Sequence, residues 1–224
     1  MEKPDQMTVA IFTPNDRREG TEPYPVIIGI NRCGNHSVHH WGGITITETV
    51  LAGLGCTRSQ NVRGTHENFW SVEMILERGY AFAAFHQTDL DSDSENMDDG
   101  IHASLYQSSV ERAGDARAAW AWGFSRAVDY LQTEPLYDSQ RIAVVGHSRR
   151  GKAAVLAGAF DERVALVVPH QAGTGGDALS RGTITQEPVF LVNWFYPNWF
   201  NDISAYINSP STSTNWSRWR HRAR

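Results

Sequence analysis

Apolar positions along the chain fall into short, nearly continuous runs separated by amphipathic stretches. Pro25-Val-Ile-Ile-Gly-Ile30 is β-branched and closes on a Cys-Gly-Asn turn, the pattern of a buried strand. Residues 79–85, 141–145 and 164–168 repeat that pattern, the last closed by Pro169. Residues 8–13 alternate and read as an edge strand. Between the runs, Phe69, Val72, Ile75 and Leu76 stand three and four apart, predicting a helix over 68–78 with Asn68 as its N-cap. Further helices are predicted over the Ala- and Trp-rich stretch 113–132 and the small-residue stretch 150–160. Continuous apolar strands alternating with helices predict an α/β fold, a doubly wound, mostly parallel sheet covered on both faces. No repeat or low-complexity linker marks a second domain.

Composition narrows the classes. At 224 residues, 41% hydrophobic and 20% charged, the chain should form a packed core. No apolar run approaches the roughly 18–20 residues of a membrane-spanning helix. The opening Met1-Glu-Lys-Pro-Asp5 lacks the apolar stretch of a signal peptide. Two cysteines, Cys33 and Cys56, allow one disulfide at most. A net charge of -5 argues against nucleic acid as a partner. That charge is divided: residues 1–208 carry -9, whereas 209–224 hold four Arg, no acid, and +4.

The third strand runs into Gly146-His-Ser-Arg-Arg-Gly-Lys152 before a helix of small residues. A strand, a Gly-x-Ser turn and a helix form the context in which a serine becomes a nucleophile. The turn pushes the hydroxyl clear of the sheet and aims the next backbone N–H at a developing oxyanion. The second glycine comes three residues after the serine, one later than the common spacing.

This segment, with 157–163 and Gly173-Thr-Gly-Gly-Asp-Ala-Leu-Ser-Arg181, resembles the glucuronoyl esterases. The likeness extends through Asn31-Arg-Cys-Gly-Asn-His36, Ala119-Trp-Ala-Trp-Gly123 and Pro197-Asn-Trp-Phe-Asn-Asp202, covering residues 8–208. The resemblance implies an α/β-hydrolase that cleaves esters between 4-O-methyl-glucuronic acid on xylan and lignin alcohols. By the same likeness Ser148 is the nucleophile, and Arg149 supplies the oxyanion hole with backbone N–H and guanidinium. Lys152, one helical turn on, would hold a sugar hydroxyl, and Glu187 matches an acidic, sugar-contacting position. Relatives of this kind imply a secreted or periplasmic monomer with a uronic-acid ester substrate and no cofactor, metal, nucleic acid or membrane. The alternatives are an acetyl xylan esterase, a catalytically dead carbohydrate-binding relative and a non-functional gene product.

The triad is incomplete in this reading. One branch of the family places its acid where this chain has Gln171, and others place it after the following strand. Only His170 and His221 follow Ser148, and neither fits the base. Residues 1–208 are therefore expected to be a partial esterase domain, inactive alone, and 209–224 a frameshifted tail. Back-translated and read two bases later, the tail spells a sequence similar to the Pro-x-Asp-Gln-His helix that the esterases carry there.

Two further clusters carry other expectations. Cys33, His36, His39 and His40 have metal-like spacing, but no metal site is expected. The acidic run Asp89–Asp99 has Ser94 and Gly100 where a calcium loop needs Gly and Glu, so a solvated loop is expected. Trp120 and Trp122 are expected in the core.

Overall fold

A computed structural model describes residues 6–15, 22–46, 56, 63–93, 100–101, 116–173 and 175–178. Glu187 and the expected tail lie outside the described residues. Among the described residues, five strands form one sheet: β1 (Val9–Phe12), β2 (Tyr24–Asn31), β3 (Ala81–His86), β4 (Tyr137–His147) and β5 (Val164–His170). Their spatial order is β1-β3-β2-β4-β5. β1 pairs with β3 antiparallel, and every other pairing is parallel. All five strands occur where the apolar runs predict them.

Helices α1 (Glu67–Trp70), α2 (Val72–Glu77), α3 (Ala116–Thr133) and α4 (Arg149–Phe160) occupy the connections. The strand pleat sends alternate side chains of β3 to opposite faces. Ala81, Ala83 and Phe85 join Trp120, Phe124, Val128 and Leu131 of α3 and Ala153, Ala154 and Ala157 of α4 in the main core. Phe82 and Ala84 pack against Val72, with Trp70, Ile75 and Leu76 alongside. The sheet is thus doubly wound, as expected.

Some local expectations change. The helix predicted over 68–78 is two helices broken at Ser71, whose backbone is left-handed (φ 49°, ψ 45°). Asn68 lies inside α1 rather than capping it, and His66 takes the N-cap position without a side-chain cap bond. The break lets Trp70 lie on Gly29 of β2, where an added Cβ would meet the indole at 2.5 Å. Trp120 is in the core, donating from its indole N–H to the Asp91 carbonyl (3.1 Å). Trp122 is not: it is 40% exposed, with the Arg126 guanidinium 5.0 Å from its ring. β5 also departs from a strand covered on both faces, because Leu166 and Val168 remain exposed while Val167 packs against the core.

Candidate active site

From β2 the chain passes outward to β3 in one direction and later to β4 in the other. In an open α/β sheet, this reversal leaves a crevice at the carboxyl ends of the two central strands. Ile30, Asn31 and Arg32 at the end of β2 and His147 at the end of β4 line a cleft of about 200 Å³ there. His66, Phe69, Trp70 and Arg150 complete its wall.

Ser148 stands beside this cleft between β4 and α4, with φ 57° and ψ -119°. A non-glycine residue adopts that conformation only where its surroundings impose it. Here the Ser148 N–H donates to the His170 carbonyl (2.9 Å), and the Ser148 carbonyl accepts from the Lys152 N–H (3.1 Å). Gly146 makes the turn possible, since a Cβ there would fall into the Arg150 carbonyl. A Cβ on Gly151 would stand 2.9 Å from the Gly146 carbonyl oxygen. The glycine three residues after the serine therefore serves the same tight turn. The turn leads directly into α4, whose first N–H groups have no intrahelical acceptor and concentrate positive potential beside Ser148.

Arg149 follows Ser148, and its guanidinium donates to Asp93 (2.7 Å). The expectation of a solvated acidic loop does not hold for its described residues, 89–93. Asp91 is buried, and Asp89 lies 3.6 Å from the His86 ring and accepts from the Thr8 N–H (3.1 Å). Asp93 thus fixes the guanidinium beside the nucleophile. The alternation of acid and Ser over 91–95 gave no apolar signal of this packing. Lys152 is buried and donates to the Ala172 carbonyl.

Sequence reasoning missed Arg32, His66, His147 and Arg150. Arg150 donates to Gln87 (2.7 Å), and desolvation pulls its pKa down to about 10, with Asp93 opposing that shift. Burial, then the charges of Arg32 and Arg150, hold His66 below the ordinary histidine value. His147 bonds the Gln171 side-chain oxygen (2.9 Å) and packs against His170, ring centroids 5.1 Å apart. An amide oxygen carries no charge to balance an imidazolium, so this contact lacks the acid that would orient a base.

The four residues with metal-like spacing do not form one cluster, although the His39 and His40 rings stack on each other. Cys33 is in a disulfide with Cys56, and His36 is fully buried.

Comparison with known proteins adds a family. Residues 65–189 match a family model described as glucuronyl esterase, fungi. Carbohydrate esterase MZ0003 of an unknown prokaryotic organism is 35% identical over 204 residues, 87% of this chain and 46% of that protein. The 4-O-methyl-glucuronoyl methylesterase of Cerrena unicolor is 36% identical over 200 residues, 75% of this chain and 41% of the relative. The solved structure of a glucuronoyl esterase from Solibacter usitatus superposes with a TM-score of 0.73 at 32% identity. That superposition covers 89% of this chain and 52% of the other. The chain therefore spans about half the length of these relatives.

Proposed function

The chain belongs to the glucuronoyl esterase family, and from that premise we propose that it carries the nucleophile and oxyanion groups of a serine hydrolase acting on uronic-acid esters. The observation that carries this reading is the strained turn at Ser148, opening at the switch point of the sheet.

In the proposed reaction the Ser148 hydroxyl attacks the ester carbonyl and loses its proton to a base. The Arg149 N–H and guanidinium hold the resulting oxyanion, the latter as a charge-assisted donor set in place by Asp93. The intermediate collapses to an acyl-serine, and the alcohol leaves with the proton. Water then attacks the acyl group, returning the serine and a uronate. Lys152 would reach a sugar hydroxyl by exchanging its bond to Ala172. Glu187 would contact the same sugar. The base and its acid are assigned outside the described residues, since Gln171 fills the near position. The Cys33–Cys56 disulfide supports an oxidising compartment, in keeping with a secreted or periplasmic protein.

The test continues this chain beyond residue 208 with the C-terminal portion of the Solibacter usitatus esterase. The product should release alcohol from a benzyl glucuronate ester and leave acetylated xylan intact. Release of acetate without uronate preference would overturn the substrate assignment in favour of an acetyl xylan esterase. Saccharide binding with no turnover of either ester would instead favour a carbohydrate-binding relative.

A further inference from the structure

A second cluster of chemistry-bearing side chains sits on the loop after β2, where it meets α1. His40 Nδ1 lies 2.7 Å from Glu67 Oε1, and His39 Nε2 lies 3.4 Å from the same oxygen. The two rings stack with centroids 4.3 Å apart, so both present a nitrogen to one carboxylate. The candidate ligand atoms of His39, His40 and Glu67 all lie within 4.8 Å of one another. Glu73 Oε1 stands 3.9 Å from His39 Nε2. We propose that His39, His40 and Glu67, with Glu73 or water in the fourth position, form a binding site for a divalent transition-metal ion such as Zn²⁺.

The scaffold around the cluster is already assembled. The Gly64 N–H donates to the His36 carbonyl (2.9 Å) and the His66 N–H to the Ser37 carbonyl (2.8 Å), tying the two segments together. The Arg63 guanidinium donates to the Trp41 and Ile44 carbonyls (3.2 and 2.6 Å), fixing the far side of the loop. Gly64, at φ 70°, lets them approach: an added Cβ would lie 3.1 Å from both His40 Cβ and Glu67 Oε2.

Tetrahedral zinc with bonds near 2.0–2.1 Å separates its ligand atoms by about 3.3 Å. The His39–Glu67 spacing of 3.4 Å already meets that, and the His40–Glu67 hydrogen bond would open slightly as the ion replaces its proton. Two imidazoles and a carboxylate select zinc, cobalt, nickel or copper over calcium and magnesium, which prefer all-oxygen shells. Capture has a chemical cost at His39. Its Nδ1 accepts the Trp41 N–H (3.1 Å), which keeps the proton on Nε2 in the free chain. Metal at Nε2 needs the neutral tautomer with its proton on Nδ1, so that proton shifts there and the Trp41 bond is lost. The bound ion would clamp the loop to α1, whose Phe69 and Trp70 form a wall of the cleft beside Ser148.

The test is calorimetric titration of the chelator-treated, untagged chain with Zn²⁺ at neutral pH, with Co²⁺ absorption reporting geometry. One saturable equivalent per chain at micromolar or tighter affinity is expected, with the intense visible bands of tetrahedral Co²⁺. His40→Ala and Glu67→Gln should each weaken binding at least about tenfold, while metal-free unfolding transitions remain cooperative. Should His40→Ala fail to fold, Glu67→Gln carries the test alone. Non-saturable binding, or unchanged affinity in the folded variants, would overturn the site.

Discussion

At Ser148 the backbone holds φ 57° and ψ -119°, which costs a non-glycine residue on the order of 1–3 kcal/mol. Chemistry and stability are therefore opposed at this residue. Ser148→Gly should raise stability by about 1 kcal/mol, because glycine adopts the conformation without strain. Ser148→Ala removes the same hydroxyl but keeps the Cβ and should give no such gain. Urea unfolding of the two variants separates strain from side-chain loss. His66 adds a pH dependence. Its folded pKa lies below the unfolded value, so between the two the unfolded chain binds more protons. The stability from its neutral form is complete above about pH 6.5 and is lost as pH falls through that value towards the folded pKa. His66→Gln should flatten the fall in urea midpoint between about pH 7 and 5. An unchanged slope would place that titration elsewhere.

Among the elements, strands were more legible than helices. β2, β4 and β5 were legible as continuous apolar runs rich in β-branched residues, β3 as an Ala- and Phe-rich run and β1 by its alternation, because a buried strand face demands apolar side chains. Helix α3 was legible from its Ala-rich composition, but its exposed Trp122 was not, since a tryptophan stacked under Arg126 looks like any core aromatic in sequence. Nor was the break between α1 and α2, where the spacing stays helical across Ser71 while the backbone turns left-handed. The elements are also tied by polar contacts that no periodicity reveals. Arg163, just before β5, bonds Asp161 through two nitrogens (2.8 and 2.7 Å) and reaches Asp129 (2.7 Å) and Gln132 (2.8 Å) on α3. The Arg163 guanidinium holds the Asp161 carboxyl below its ordinary value. Its contribution is present above the unfolded carboxylate pKa and is lost as pH falls through the lower folded value. Acid unfolding should begin below about pH 4, and Asp161→Asn should lower stability at neutral pH while blunting that acid-induced loss. The disulfide joins the loop after β2 to Cys56, closing a 23-residue separation. Reducing it should cost about 3 kcal/mol by loop-closure arithmetic, read as a lower urea midpoint in reductant.

For the molecule as a whole, the strand–turn–helix at Ser148 and its glycines were visible in sequence because strained turns require particular small residues. The cleft wall was not, because Arg32, His66, Trp70 and Arg150 come from separate segments that only the sheet order brings together. Asp93 was hidden for the same reason, inside a run that read as solvent-facing. The position opposite His147 carries Gln171, and the chain spans about half the length of its relatives. On the proposed assignment of base and acid outside the described residues, the chain continued with a relative's C-terminal portion should turn over uronate esters on the order of 10⁶-fold faster than the same protein with the histidine base of that portion replaced by Ala. The most direct test of the central claim is rapid-quench mass spectrometry of that continued chain with a benzyl glucuronate ester. The account predicts one uronoyl group attached to the peptide bearing Ser148, appearing with alcohol release and absent in Ser148→Ala. A folded, ester-cleaving protein with no adduct at Ser148, or one whose turnover survives Ser148→Ala, would contradict it.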